Sequence, residues 1–193
     1  MLNKKLFLSI VTCIVLVNEC SAVVKKELSE SEIKKIAKNA IMRVGGSLKS
    51  TLIQKVKQGG ISNAADFCSK EAGALAKEAS KVLPKGVSIK RITNKPRNKI
   101  NQATPEQLKI LQEIDLKLKA GNMPPMVVKK ISDGHYQVYK PLKIAKQCLN
   151  CHGDNNTRNK QAYSIIKDKY PNDKAIGYKV GELRGAFLVD IKR

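Results

Sequence analysis

Residues 148–152 read Cys148-Leu149-Asn150-Cys151-His152. Two thiols three positions apart, with an imidazole directly after the second, form the attachment signature of a c-type haem. Thiols at this spacing can add across the two vinyl groups along one edge of a porphyrin. The adjacent His152 can then turn to the iron as proximal ligand. The same Cys-x-x-Cys pair also occurs in redox dithiols, disulfides and half zinc sites. A zinc site needs further ligands, and the chain has only three other cysteines (Cys13, Cys20 and Cys68) and one other histidine, His135. A thioredoxin-type dithiol needs no histidine after its second thiol. Haem leads these alternatives provided that the chain is exported, because c-type haem is attached outside the cytoplasm.

The N-terminus meets that condition. Asn3-Lys4-Lys5 is a short positive region, Leu6 to Val17 is apolar apart from Ser9 and Thr12, and Cys20-Ser21-Ala22 offers small residues for cleavage after Ala22. The apolar run is too short to span a bilayer comfortably. The expected organisation is a signal peptide over residues 1–22 and one domain over residues 23–193, located in the periplasm, with an uncleaved anchor as the alternative. Cys13 and Cys20 leave with the signal. Cys68 then has no disulfide partner if Cys148 and Cys151 hold haem, and an odd cysteine in an exported protein calls for an explanation.

The full chain carries a formal net charge of +21. Losing Lys4, Lys5 and Glu19 leaves 35 basic and 15 acidic residues, a net of +20. The lysines are spread along the whole chain. Such a surface suits an acidic redox or signalling partner, or anionic lipid headgroups at a membrane surface. Export and an aromatic content of 4% argue against nucleic acid.

The elements that position the motif follow from periodicity. Ile33, Ala37, Ala40, Val44, Leu48 and Leu52 recur at helical spacing, so a helix is expected from Leu28 to Lys57, capped by Ser29 or Ser31. Gly45-Gly46 would bend it or allow close packing, and Gly59-Gly60 would end it. This N-terminal helix is either core or an arm that pairs with a second copy of the chain. A second helix is expected from Asn63 to Lys81, with Ala64, Cys68, Ala72, Leu75 and Ala79 on one face. Cys68 there is either a small buried hydrophobe or an iron ligand, on a face of alanines that a flat porphyrin could approach.

Val87 to Ile92 reads as a strand that puts Val87, Ile89 and Arg91 on one face. Arg91 and Arg97 flank the loop Thr93-Asn94-Lys95-Pro96, and either guanidinium suits a haem propionate. Thr104, Pro105 and Gln107 spell a capping box at a helix start, and Gly121 closes that helix. Met126–Ile131 and His135–Leu142, around Ser132-Asp133-Gly134, predict a hairpin. His135, Met123 and Met126 are further candidates for the sixth iron position. A short helix from Arg158 to Lys169 and a last strand from Ala186 to Ile191 complete the chain, and a terminal strand of this kind needs pairing within a sheet.

Four stretches together resemble one family of exported single-haem proteins with a PAS-like fold. They are Leu52 to Ala79, including Gly59-Gly60 and Ala65-Asp66-Phe67-Cys68; Val87 to Arg91 with Arg97-Asn98; Tyr139-Lys140-Pro141-Leu142 leading into the motif; and Tyr170 to Tyr178 with Gly181-Glu182-Leu183-Arg184-Gly185-Ala186. The resemblance implies an α+β fold, a PAS-like antiparallel sheet with N-terminal helices packed around it, and one covalently bound haem c. It also implies His152 as proximal ligand and, by analogy with a relative whose sixth ligand is a cysteine on the matching helix, Cys68 as the other. The chain departs from the family after Arg91, where Ile92 stands before Thr93.

A histidine–thiolate iron has a low reduction potential, because the thiolate favours the ferric state. With both axial positions filled and no distal acid–base constellation, the expectation is a non-enzymatic electron-transfer protein. The alternative is a haem-based redox or gas sensor that acts through a separate signalling partner when one ligand leaves.

Overall fold

The computed structural model describes residues 27–193. The expected signal peptide, its cleavage site, Cys13 and Cys20 lie outside these residues. Five helices are described: α1 (Glu30–Lys70), α2 (Ala72–Ser80), α3 (Pro105–Lys119), α4 (Leu149–His152) and α5 (Lys160–Lys169). Four strands, β1 (Val87–Ile92), β2 (Val127–Ser132), β3 (His135–Lys143) and β4 (Leu183–Lys192), form one antiparallel sheet in the order β1-β4-β3-β2. The fold is therefore α+β, as expected.

The last strand in sequence, β4, lies inside the sheet. Phe187 pairs with Lys140 on β3 and with Arg91 on β1, and Val189 pairs with Val138 and Ile89. A strand covered on both faces must be apolar on both. Accordingly Ala186 and Leu188 pack toward one side with Leu111 and Ile114 of α3. Val189 and Ile191 pack toward the other with Ile33, Ala37 and Ala40 of α1. Each large side chain buried in these two clusters contributes roughly 1.5–3 kcal/mol. The alanines of α1 let its backbone approach the sheet closely.

The helix starts obey the expected chemistry. Ser29 caps α1 and Glu32 reaches back to complete a capping box. Thr104 and Gln107 do the same for α3, with Pro105 in the first turn. Such caps are typically worth about 1 kcal/mol each. At Gly45 the expected close packing occurs: a Cβ built there would stand 3.0 Å from the Phe187 ring.

Two boundaries differ from expectation. Gly59-Gly60 produces a kink instead of an end. Gly60 adopts φ 70°, ψ −167°, and helix resumes at once, so α1 has a long first limb and a short second limb carrying Phe67 and Cys68. The Asn63 side chain donates to the Lys55 carbonyl across the kink at 3.0 Å, which replaces part of the lost helical bonding. The helix expected from Asn63 to Lys81 is in turn interrupted at Glu71, and its second half is α2. That break falls between Cys68 and Ala72, which were expected on one continuous helix, although both still line one space.

Candidate functional site

A 3-10 turn over Lys146–Cys148 runs directly into α4, a single turn ended by Gly153 in extended conformation. Residues three apart on such a turn are neighbours, so Cys148 and Cys151 share a side. Both are half-buried free thiols. Cys148 packs beside Ile144, Ala175 and Tyr178, and Cys151 beside Ala65 of α1 and Ala162 and Ile166 of α5. A loop returns to hold the turn: Tyr178 N–H donates to the His152 carbonyl at 2.9 Å and Gly177 N–H to the Gly153 carbonyl at 2.8 Å.

That loop also fixes the imidazole. His152 Nδ1 lies 2.7 Å from the Ala175 carbonyl oxygen. A carbonyl has no proton to give, so Nδ1 carries the hydrogen and donates it, which leaves the Nε2 lone pair free to bind a metal. Tyr178 meets the ring edge-on, with centroids 6.2 Å apart and planes at 89°. Burial, followed by the positive charges of Arg97 and Arg184, holds the imidazole well below its ordinary value. His152 is therefore neutral, as a ligand must be.

His152 and Cys68 open onto the same cavity, of about 340 Å³. Its walls include Gly45, Leu48 and Leu52 from the first limb of α1, Phe67 and Cys68 from the second, Ala72 from α2, and Arg91, Leu142 and Phe187 from the sheet. The two glycine-related features of α1 thus serve one space: Gly45 admits Phe187, and the Gly59-Gly60 kink turns Cys68 toward the sheet side that carries Arg91. Burial raises the Cys68 thiol, while Arg91 and Arg97 oppose that rise. Cys148 and Cys151 do not line the cavity but flank its His152 end.

The cavity is cationic. Arg91, Arg97 and Arg184 all line it, with Lys49. The Arg91 side chain makes no hydrogen bond or ion pair with the described residues and faces this space. Arg97 is engaged: Nε donates to Asp173 Oδ2 at 3.0 Å and Nη2 to the Cys151 carbonyl at 2.6 Å. Arg184 donates Nη1 to Thr93 Oγ1 at 2.9 Å and lies 5.5 Å from the Tyr178 ring centroid.

The other sequence candidates lie elsewhere. His135 Nε2 is 3.1 Å from both oxygens of Asp190, and strand alternation puts this pair on the α3 side of the sheet, opposite the cavity. Met126 packs at the edge of the cluster beneath the start of α1, and Met123 does not line the cavity. Sequence reasoning missed Asp173, Ala175 and Arg184 as site residues. Asp173 stands in Pro171-Asn172-Asp173, residue types that suit an ordinary turn, and Ala175 acts through its backbone, which side-chain chemistry cannot reveal. The donors present, two free thiols three residues apart beside an imidazole whose Nε2 is free, are the set that suits a porphyrin.

No curated protein matches the chain. A solved structure described as the cyanobacterial heme-protein Tll0287 is similar in fold, with a TM-score of 0.59 at 24% identity over 86% of this chain and 98% of that one. The model of the Tll0287-like family matches residues 12–192, nearly the whole sequence, and the chain belongs to that family.

Proposed function

We propose that this protein is a periplasmic monohaem protein that binds one haem c covalently and transfers electrons at low potential. The observation that carries the reading is that His152, with Nε2 free, and Cys68 line one cavity beside two free thiols at haem-attachment spacing. The relative's description as a heme-protein adds support. Cys148 and Cys151 provide the thioether sulfurs, His152 the proximal ligand and Cys68 the sixth. Arg91 and Arg184, with Arg97 nearby, supply the positive charge that two propionates and a thiolate require. Haem bound there would supply a one-electron ferric/ferrous couple. With His152 and Cys68 both holding the iron, the thiolate would favour the ferric side of that couple, and no open position would remain for substrate chemistry.

The net charge of +21 suits an acidic redox or signalling protein as partner, and peripheral contact with anionic lipid is compatible with it. The apolar stripe of the first limb of α1, Ile33, Ala37 and Ala40, packs on the sheet, so a pairing of two copies through this helix would use its outward face. Haem-based sensing is the second reading. It is favoured by the position of Cys68 on a short limb directly after the Gly59-Gly60 kink, where ligand loss could become movement.

The test is expression with haem-maturation machinery, comparing the wild type with Cys68→Ala. The expected wild-type product carries covalent haem with a low-spin spectrum. The variant keeps the haem, changes its ferric spectrum and has a raised potential. A folded, colourless wild-type product would overturn the reading.

A further inference from the structure

The Asp173 side chain is 0% exposed. A buried carboxylate is costly unless its oxygens are satisfied and its charge is met. Here both conditions hold, and both partners lead to the haem motif. Asp173 Oδ2 accepts from Arg97 Nε at 3.0 Å, and Arg97 Nη2 donates to the Cys151 carbonyl at 2.6 Å. Asp173 Oδ1 accepts from the Ala175 N–H at 2.8 Å, and the Ala175 carbonyl accepts from His152 Nδ1 at 2.7 Å. One carboxylate therefore holds the second thioether position through a charged arm and the proximal imidazole through a peptide arm.

Arg97 Nη2 also comes within 3.4 Å of His152 Nδ1. Nδ1 has already committed its hydrogen to Ala175, so this approach is a charge contact and not a second hydrogen bond. A full positive charge thus sits beside the ring that faces the iron, balanced by the carboxylate behind it.

We infer that Asp173 and Arg97 form a positioning pair for the proximal side: Asp173 fixes the orientation of His152 through Ala175, and the Arg97 charge, metered by Asp173, tunes the couple. This rests on the haem reading above and assigns Arg97 a different task from propionate binding. A guanidinium is needed, because it must bond a carboxylate and a carbonyl at once from a fixed fork, which a lysine ammonium on a flexible stem does not reproduce. Positive charge near the iron favours the reduced form and negative charge the oxidised form, so the two members of the pair act with opposite sign.

The experiment compares haem-loaded wild type with Asp173→Asn, Arg97→Gln and the double variant, reading the reduction potential and the hyperfine-shifted His152 Nδ1–H resonance. Asp173→Asn leaves the Arg97 charge unbalanced and is expected to shift the potential upward. Arg97→Gln leaves the buried carboxylate unbalanced and is expected to shift it downward. Both singles should speed solvent exchange of the Nδ1 proton. The double variant, which removes both charges together, should bring the potential back toward wild type, and it keeps the question open to measurement if a single variant fails to fold. Singles that hold haem with wild-type potentials, or that shift in the same direction, overturn the proposal. So does a double variant with wild-type Nδ1 proton exchange. Absence of covalent haem from the wild type would instead defeat the haem reading on which the pair depends.

Discussion

His152 donates its Nδ1 hydrogen to the carbonyl of Ala175 across 2.7 Å, and that one bond decides which ring nitrogen can face a metal. It also ties a one-turn helix to a loop more than twenty residues later. The ring is neutral because burial penalises its charged form and because Arg97 and Arg184 repel a further positive charge.

This neutrality gives the haem-free protein an acid-sensitive stability. An unfolded histidine titrates near 6.5, and the folded His152 well below that. Between those two pH values the unfolded chain binds a proton that the folded chain refuses. The stabilisation is complete above the unfolded value and is lost as pH falls below it, at up to about 1.4 kcal/mol per pH unit. Urea unfolding of haem-free protein at pH 7.5 and 5.5, beside His152→Gln, checks this. The variant should lose less stability over the same interval, and equal losses would refute the assignment.

Gly45 and Gly46 are adjacent in α1 yet should respond differently to alanine. Nothing lies within 4 Å of a Cβ at Gly46, so Gly46→Ala should gain the helix-propensity difference, about 1 kcal/mol. For a chain of this size that raises Tm by roughly 2–4 °C. At Gly45 the added Cβ meets the Phe187 ring at 3.0 Å, and the gain is offset by crowding. A larger residue, as in Gly45→Leu, should cost about 1–3 kcal/mol. Because Phe187 lines the cavity, it should also disturb haem uptake. Thermal unfolding of the three variants provides the comparison.

The position of β4 makes the C-terminus indispensable. Its residues pair with β1 on one side and β3 on the other. A chain ending at Lys179 would leave β1 without its strand partner and expose the inner edge of β3. Loss of a cooperative unfolding transition is the expected result, read by circular dichroism against denaturant. A truncated chain that still unfolds sharply would show that the helices, not the sheet, hold the fold.

Much of this was legible in the residues because local chemistry and tertiary structure agree. Val87–Ile92 is a strand with the expected bounds, since β-branched alternation sits between clear breakers. The Thr104-Pro105-Gln107 signal gave the start of α3, and Gly134 with φ 67° turns the expected hairpin. The Cys-x-x-Cys-His stretch was likewise visible in its residue types, whereas Cys68 read by itself as either a buried hydrophobe or an iron ligand, and only the family resemblance singled it out. What escaped was contact through the backbone and over distance. Nothing in Pro171-Asn172-Asp173 distinguishes a solvated turn from a buried carboxylate. The break at Glu71 is nearly silent as well, since Gly73, two residues beyond it, is the only strong helix-disfavouring residue from Asn63 to Lys81.

The kink at Gly60 sets the backbone path to Cys68, the proposed sixth ligand. Its φ of 70° and ψ of −167° lie in a region open essentially to glycine alone, and an L side chain there costs about 1–3 kcal/mol. Nothing stands within 4 Å of a Cβ at this position, so Gly60→Ala changes backbone preference without a clash. The limb beyond it carries Cys68 and is anchored by Ala65 against Ala162 and Ile166 of α5. Two restraints therefore compete for the direction of Cys68: the kink and the α5 contact. If the kink governs, Gly60→Ala should retain covalent haem through Cys148 and Cys151, while part of the population loses the Cys68-dependent ferric spectrum and resembles Cys68→Ala. If α5 governs, the spectrum stays that of wild type and only stability falls. Since Ala65, Ala162 and Ile166 are nearly fully buried but form a small cluster, the kink is expected to dominate, and a mixed ferric spectrum is the predicted outcome.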